Sequence, residues 1–355
     1  MKLFLNYSKN KYIMKILTIG DPHFKKDNAN ETSLMITKLR TLILNEKPSM
    51  IVVLGDIGHD FDDVGTNRTL RMYDFLNMLH ETMSLDCKLY LLIGNHDRVH
   101  NKVFMTNEHV FNAHKKWERT HVIDSTYVEI INDKKYVFVP YVETGKFNQA
   151  LATNNLCSLK DDDSWEYNME NVTLVFAHQE FFGAKMNAIT SNKGDLWPNN
   201  LPLCISGHIH DYEQLQNNLI YVGTPIQHGY SDTKDKTVSI FTLLNDEWEH
   251  RRINLGIPKK LHFTLNSEQI LSFQPPENAQ IKIKLRGTAE EVKNVMNLKQ
   301  IKDLIDVGVK IKEDIIIQKI IISRNITKKD FKERLSENIS TQPEKYKHLF
   351  EQIFQ

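Results

Sequence analysis

The chain has 355 residues, 41% hydrophobic and 25% charged, the balance of a globular protein rather than a disordered or fibrous one. No run of about 18 consecutive apolar residues occurs, and the opening MKLFLNYSKNKYIMK has polar interruptions and no small-residue cleavage site. Neither a membrane span nor a signal peptide is therefore expected, and the protein reads as intracellular (cytoplasmic, nuclear or at a viral replication site), not secreted. Overall charge balances at 45 Lys+Arg against 45 Asp+Glu, but residues 1–257 hold 27 against 32 and residues 258–355 hold 18 against 13. That asymmetry suits an acidic catalytic half beside a basic half that meets a polyanion, or ordinary scatter between two domains.

Residues 1–13 read as an N-terminal extension ahead of Met14, itself an alternative start. From Met14 the pattern alternates: MKILTIG (14–20) predicts a strand, ETSLMITKLRTLILNE an amphipathic helix, MIVVLG (50–55) a strand, NRTLRMYDFLNMLHE a helix, and CKLYLLIG (87–94) a third strand. Near-continuous apolar strands separated by helices predict a largely parallel sheet covered on both faces. YVEII, KYVFVPY, VTLVFAH, PLCISGH, NLIYVG, TVSIFTLL and EWEHRRI follow, mostly without long helices between them, and predict a second, more antiparallel sheet. After LGIPKK the composition shifts, and residues 258–325 predict a small basic β-α-β-like unit with SFQPPENAQ as a loop inside it. The tail, 326–355, predicts two amphipathic helices opened by capping-box-like patterns at Thr327–Asp330 and Thr341–Glu344. Cys87, Cys157 and Cys204 are too widely spaced for a zinc-thiolate site and suit reduced core thiols.

The chemistry lies at the strand ends. GDPH (20–23), GDIGHD (55–60) and GNHD (94–97) each follow an apolar strand, and the crevice beyond strand C-termini is where sites assemble in parallel α/β sheets. VTLVFAH delivers His178, and ISGHIHD delivers His208 and His210, which share a face because they alternate on an extended segment. The rim thus offers Asp21, His23, Asp56, Asn95, His178, His208 and His210. This nitrogen and oxygen set without thiolate suits Mn²⁺ first, with Fe²⁺, Zn²⁺ or Mg²⁺ as alternatives. Seven ligands exceed the needs of one ion with an open position and match two, the pairing used for in-line attack at phosphorus. A lone histidine after a strand is more often structural, but no packing requirement calls for all five motifs in this order.

GDPH, GDIGH, GNHD and GHIH resemble the signature of the calcineurin-like metallophosphoesterase superfamily, over residues 14 to about 250. The resemblance implies a four-layer αββα sandwich, with a small C-terminal α+β domain and a terminal helix pair completing the chain. It implies that Asp21, His23 and His210 hold one ion, that Asn95, His178 and His208 hold the second, and that Asp56 bridges. His96 would stabilise charge on the phosphorus or protonate the leaving oxygen, Asp97 would orient His96, and His59 would lie beside the ligands or face substrate.

AHQEFFGAKMN (177–187) and NLIYVGTPIQHGYSD (218–232) further resemble the H-x-x-x-x-G-x-x-M-x segment and Y-x-G-T/S-P loop of SbcD-type nucleases, the meiotic-recombination-eleven family of double-strand-break repair enzymes, in a phage-like branch. That implies a DNA exo- or endonuclease spanning 14–257, a DNA-capping-like domain over 258–325, and a helix pair over 326–355 that binds an SMC-like ATPase of the SbcC type, with DNA and a second copy of the chain as further partners. GDIGHD lacks the arginine, and GNHD the final glutamate, expected of protein Ser/Thr phosphatases. Two alternatives stand beside the nuclease: a small-substrate phosphodiesterase or nucleotide phosphatase on the same metals, and a metal-free scaffold subunit.

Overall fold

The computed structural model describes residues 13–59, 65–186, 189–232, 235–244, 247–316 and 335–339, with 343–344, 346–348 and 352. The chain divides into two compact units, one of residues 1–263 with 274–283 and 307–310, the other of 264–273, 284–306 and 311–355.

The first unit holds two six-stranded sheets. One runs, edge to edge, Glu247–Ile253, Val238–Leu244, Met14–Ile19, Met50–Val53, Lys88–Leu92 and Thr120–Ile123. Its last four strands are mutually parallel, because the helices Ala29–Glu46 and Thr66–Thr82 carry the chain back between the first three. The other runs Glu213–Gln216, Leu219–Tyr221, Leu203–Gly207, Val172–His178, Lys134–Val139 and Tyr127–Ile131.

Side-chain alternation along the strands builds three cores. Ile16, Val52 and Tyr90 face Phe138, Phe176, Ile205 and Val222 between the sheets. Leu17, Ile51 and Leu89, on the opposite face, pack with Met35, Leu39, Phe75 and Leu79 of the two helices. Val137, Val175 and Cys204 of the second sheet pack outward with Phe147 and Leu151 of the short helix Phe147–Ala152 and with Trp197. These are the expected αββα layers, and burial on both faces explains the unbroken apolar runs. Tyr90, Phe138 and Phe176 stack in sequence between the sheets, at 4.2 and 5.0 Å between ring centroids. Truncating Phe138 to alanine would cost about 3–5 kcal/mol by the usual penalty for a deleted core aromatic.

Two expectations for the second sheet are corrected. Its four central strands are parallel, with only its outer strands, Glu213–Gln216 and Tyr127–Ile131, antiparallel. VSIFTLL and EWEHRRI belong instead to the first sheet, where Met14 pairs with Leu243 and Ile16 with Phe241. Two of the crossovers that make the centre parallel run through residues 140–171 and 179–202, whose short helix Phe147–Ala152 and short strands lack the sustained helical period that would have announced them.

C-terminal strands Lys259–Leu265, Ala279–Gly287 and Lys310–Ile315 form a three-stranded sheet in that order, with helices Ser267–Leu271, Ala289–Met296 and Lys299–Asp306. Asn266 and Thr288 open two of these helices with reciprocal capping boxes, satisfying backbone N–H groups that a helix start leaves unpaired. The expected tail helices over 326–355, with both their capping patterns, lie largely outside the described residues, of which 335–339 are helical. Cys87, Cys157 and Cys204 are free, buried thiols. Among the described residues no helix is long and apolar enough to cross a membrane.

Candidate metal centre

The five motifs leave the C-terminal ends of parallel strands in both sheets and converge. Asp21 and His23 follow Met14–Ile19, Asp56 follows Met50–Val53, Asn95 and His96 follow Lys88–Leu92, His178 ends its strand, and His208 and His210 follow Leu203–Gly207. Four of these residues hold positive φ: Asp21 at 35°, His23 at 43°, Asp56 at 50° and His208 at 79°. Side chains rarely tolerate that region, and each instance costs on the order of 1–3 kcal/mol. Close approach supplies a further constraint: a Cβ on Gly94 would stand 2.2 Å from Asp56 Oδ1 and 2.4 Å from its amide nitrogen. Only glycine lets these two loops touch.

The imidazoles are anchored by backbone carbonyls. His23 Nδ1–H donates to Gly58 O at 3.0 Å and His178 Nδ1–H to Leu54 O at 2.6 Å, which turns each Nε2 inward. His23 Nε2 lies 3.0 Å from His210 Nε2, and His178 Nε2 lies 3.0 Å from Asn95 Oδ1 and 3.4 Å from Asp56 Oδ2. His208 Nδ1 meets the same Asn95 oxygen at 3.0 Å. Asp56 is the carboxylate common to both groups, 3.4 Å from His178 and 3.7 Å from His23, while its Oδ1 accepts the His96 N–H at 2.8 Å.

Two groups of three in which one donor atom of each residue lies within 4.8 Å of the others meet here: Asp56 with His178 and His208, and His23 with His210 and His228. A third joins His23, His59 and His96. Together they support a two-metal centre. The donor chemistry fits: lone pairs of buried imidazoles and oxygens face one another at hydrogen-bond distance, an arrangement that calls for positive charge between them. Without an ion, that charge is a proton. Burial opposes it, but Asp56 and then Asp21 push His178 up to about 9. Burial raises Asp21 to about 8 against the pull of His178, and raises Asp97 to about 7 with help from the Asp56 charge. Burial would raise Asp56 as well, but His178 and then His23 hold it far below the ordinary carboxylate range. Burial lowers His208 to about 3 and His210 to about 4, leaving both neutral and able to donate a lone pair.

Some side chains sit differently from expectation. The Asp21 carboxylate accepts the His208 N–H at 3.2 and 3.0 Å and lies 3.3 Å from His178 Nδ1, turned toward the second group. Asp97, expected to orient His96, accepts from the Gly58 and Gly94 N–H groups at 2.8 and 3.0 Å. On the His96 ring, Nδ1 lies 2.5 Å from the His59 carbonyl oxygen. Asp97 thus ties two loops together, because its short side chain ends among their amides. His59 stacks on His96 at 5.4 Å, with its Nδ1 3.3 Å from His23 Nδ1. His228 was not singled out, since it lies well along its loop rather than directly behind the strand Leu219–Tyr221; its only signal was its place in the YVGTPIQHGY segment. A cavity of about 230 Å³ opens over the centre, walled by Asp56, Asn95, His96, Lys185, Met186, His208, Ile209, His210, Asp211 and Asp232.

Residues 14–212 match the calcineurin-like phosphoesterase family. "Putative phosphoesterase 078R" of Invertebrate iridescent virus 3 is 33% identical over 302 residues, 83% of this chain and 82% of the relative. "Putative phosphoesterase 244L" of Invertebrate iridescent virus 6 is 34% identical over 287 residues, 79% of this chain and 96% of the relative. Among solved structures, a dimetal phosphatase from Danio rerio aligns with a TM-score of 0.43 and 11% identity, over 68% of this chain and 96% of its own.

Proposed function

The chain belongs to the calcineurin-like phosphoesterase family, and from that premise we propose that it is a two-metal hydrolase of small phosphoester substrates, a phosphodiesterase or nucleotide phosphatase. The observation that carries the substrate class is the cavity over the metal centre. At about 230 Å³ it accommodates one phosphoester group with modest substituents. Two of its carboxylates, Asp211 and Asp232, lie 2.8 and 3.8 Å from the Lys236 ammonium, which leaves the two cations to attract the phosphoryl group.

In this reading His23 and His210 would hold one ion, with Asp21 once its carboxylate turns from the His208 N–H and His178; Asn95, His178 and His208 would hold the other, and Asp56, which faces both groups, would serve both. Two divalent cations, Mn²⁺ first among them, supply Lewis acidity toward the phosphoryl oxygen and lower the pKa of water. Asn95, fixed between His178 and His208, orients a phosphoryl oxygen at the second position. His96, its Nδ1 against the His59 carbonyl and its backbone N–H on Asp56, lines the cavity and is the side chain placed to donate to the developing charge or to the leaving oxygen.

A second reading, a DNA exo- or endonuclease in break repair or recombination, is favoured by the basic balance of residues 258–355, 18 Lys+Arg against 13 Asp+Glu. In that reading the C-terminal sheet and helices cap DNA, and an SMC-like ATPase or a second copy adds contacts. The test is side-by-side turnover by the full chain with Mn²⁺ of bis-(p-nitrophenyl) phosphate, cyclic nucleotides and end-labelled linear duplex. Rapid hydrolysis of the small substrates beside intact DNA supports the first reading. Processive loss of labelled DNA at enzyme levels that leave the small substrates untouched overturns it in favour of the nuclease.

A further inference from the structure

His228 reaches the metal centre from outside the five strand-end motifs. It lies on the loop after Leu219–Tyr221, and that loop is clamped: His228 N–H donates to Asp232 Oδ2 at 2.8 Å, and Gln227 Oε1 accepts the Lys260 N–H at 2.6 Å. Its ring stands edge-on to His23 at 4.8 Å and to His210 at 5.0 Å. Nε2–H donates to the Asp21 carbonyl at 3.0 Å. The other nitrogen, Nδ1, is buried and has no hydrogen-bond partner among the described residues.

That arrangement repeats the one seen at two expected ligands. His23 gives Nδ1–H to Gly58 O, His178 gives Nδ1–H to Leu54 O, and each turns its remaining nitrogen to the centre. A buried lone pair without a partner is costly in a packed structure. Here it belongs to an imidazole with one ring nitrogen within 4.8 Å of ring nitrogens of His23 and His210, while the Asp21 carboxylate is turned toward His208 and His178. We propose that His228 is a further nitrogen ligand, through Nδ1, of the cation held by His23 and His210. The inference rests on the two-metal reading of the centre and is independent of which phosphoester is cleaved.

The test uses full-length protein stripped of metal and titrated with Mn²⁺ alone, read by calorimetry and by the ¹⁴N modulation of the bound-Mn²⁺ electron spin echo. His228→Gln keeps an amide donor where Nε2 stands and removes the Nδ1 lone pair, while His228→Asn places an amide oxygen near the Nδ1 position. The Gln variant is expected to bind one of its two ions at least about tenfold more weakly and, at saturation, to show one imidazole fewer. The Asn variant is expected to recover part of the affinity with the same lowered nitrogen count. Weaker binding with an unchanged nitrogen count in His228→Gln would reduce His228 to a positioning residue for Asp21, and unchanged affinity would remove it from the centre; either overturns the proposal. Equal thermal melts of the metal-free proteins exclude misfolding as the cause. Because no substrate enters the assay, failure of the small-substrate reading leaves these outcomes readable.

Discussion

Replacing Asp56 with asparagine tests the shared position most directly. Its carboxylate is 2% exposed and is the one that faces both groups, His178 Nε2 at 3.4 Å and His23 Nε2 at 3.7 Å. Loss of its charge should therefore be felt at both ions, whereas His210→Ala removes a donor from only one group. An ion at about a hundred times its Kd stabilises the folded state by about 2.7 kcal/mol, so two give about 5 kcal/mol. For a unit of this size that is a rise of about 10 °C in Tm, at roughly 2 °C per kcal/mol. Differential scanning calorimetry with and without Mn²⁺ should show nearly the full rise in the wild type, about half in His210→Ala and almost none in Asp56→Asn. A wild-type rise retained in Asp56→Asn would refute the shared role.

His96→Asn should lower turnover by about 10²–10⁴-fold, or about 3–5 kcal/mol of barrier, while Mn²⁺ binding stays intact; parallel loss of metal would instead make His96 part of the scaffold. Gly94→Ala drives a methyl to 2.2 Å from Asp56 Oδ1, and should cost about 1–3 kcal/mol in urea unfolding along with the Mn²⁺-dependent gain in stability; an unchanged midpoint would show that the loops part freely. His250 stacks on Phe241 at 4.3 Å, and burial, then Arg252, lower it to about 4. Because its folded value lies below the unfolded 6.5, the unfolded chain binds the extra proton, so this contribution is full above about pH 6.5 and lost toward pH 4. Allowing for partial exposure it amounts to about 1–2 kcal/mol, and His250→Phe should flatten that part of the pH–stability curve. The Lys260–Glu31 pair, 2.9 Å apart and nearly buried on both sides, predicts that Lys260→Met alone costs about 3 kcal/mol and that adding Glu31→Leu returns much of it, a pattern a double-mutant cycle would reveal.

How much of this was legible depended on whether a feature is local. Leu17, Val52 and Leu89 sit in runs that are apolar at most positions, on both faces, because both faces of their sheet are covered, so strands and helices could be read directly. The site residues were legible for a related reason: a polar cluster directly after such a run has no packing role to explain it. Pairing was not local. Met14 meets Leu243 across 229 positions, and the pattern of VSIFTLL reads alike whichever sheet receives it. Nor did residue type reveal that the Asp21 carboxylate turns to the His208 amide, that Asp97 grips Gly58 and Gly94, or that His228 arrives from well along the loop after Leu219–Tyr221.

These contacts share one physical purpose. Each buried carboxylate of the centre accepts a backbone N–H from another motif, Asp21 from His208, Asp56 from His96 and Asp97 from Gly58, and Asp97 also accepts from Gly94 of its own motif. Of the four residues at positive φ, each costing on the order of 1–3 kcal/mol, Asp21, Asp56 and His208 are held by these bonds and His23 by the Gly58 carbonyl. The same bonds bring Asp21, Asp56 and Asp97 close enough for their charges to repel, which is why burial and Asp56 together push Asp97 upward. Without metal, backbone dipoles and the His178 imidazolium offset part of that repulsion; two divalent cations would displace that proton and offset more of it. Metal affinity and fold stability are therefore coupled through the same few amides, so substitutions that loosen the cross-ties should weaken both together, even where the substituted side chain never touches an ion.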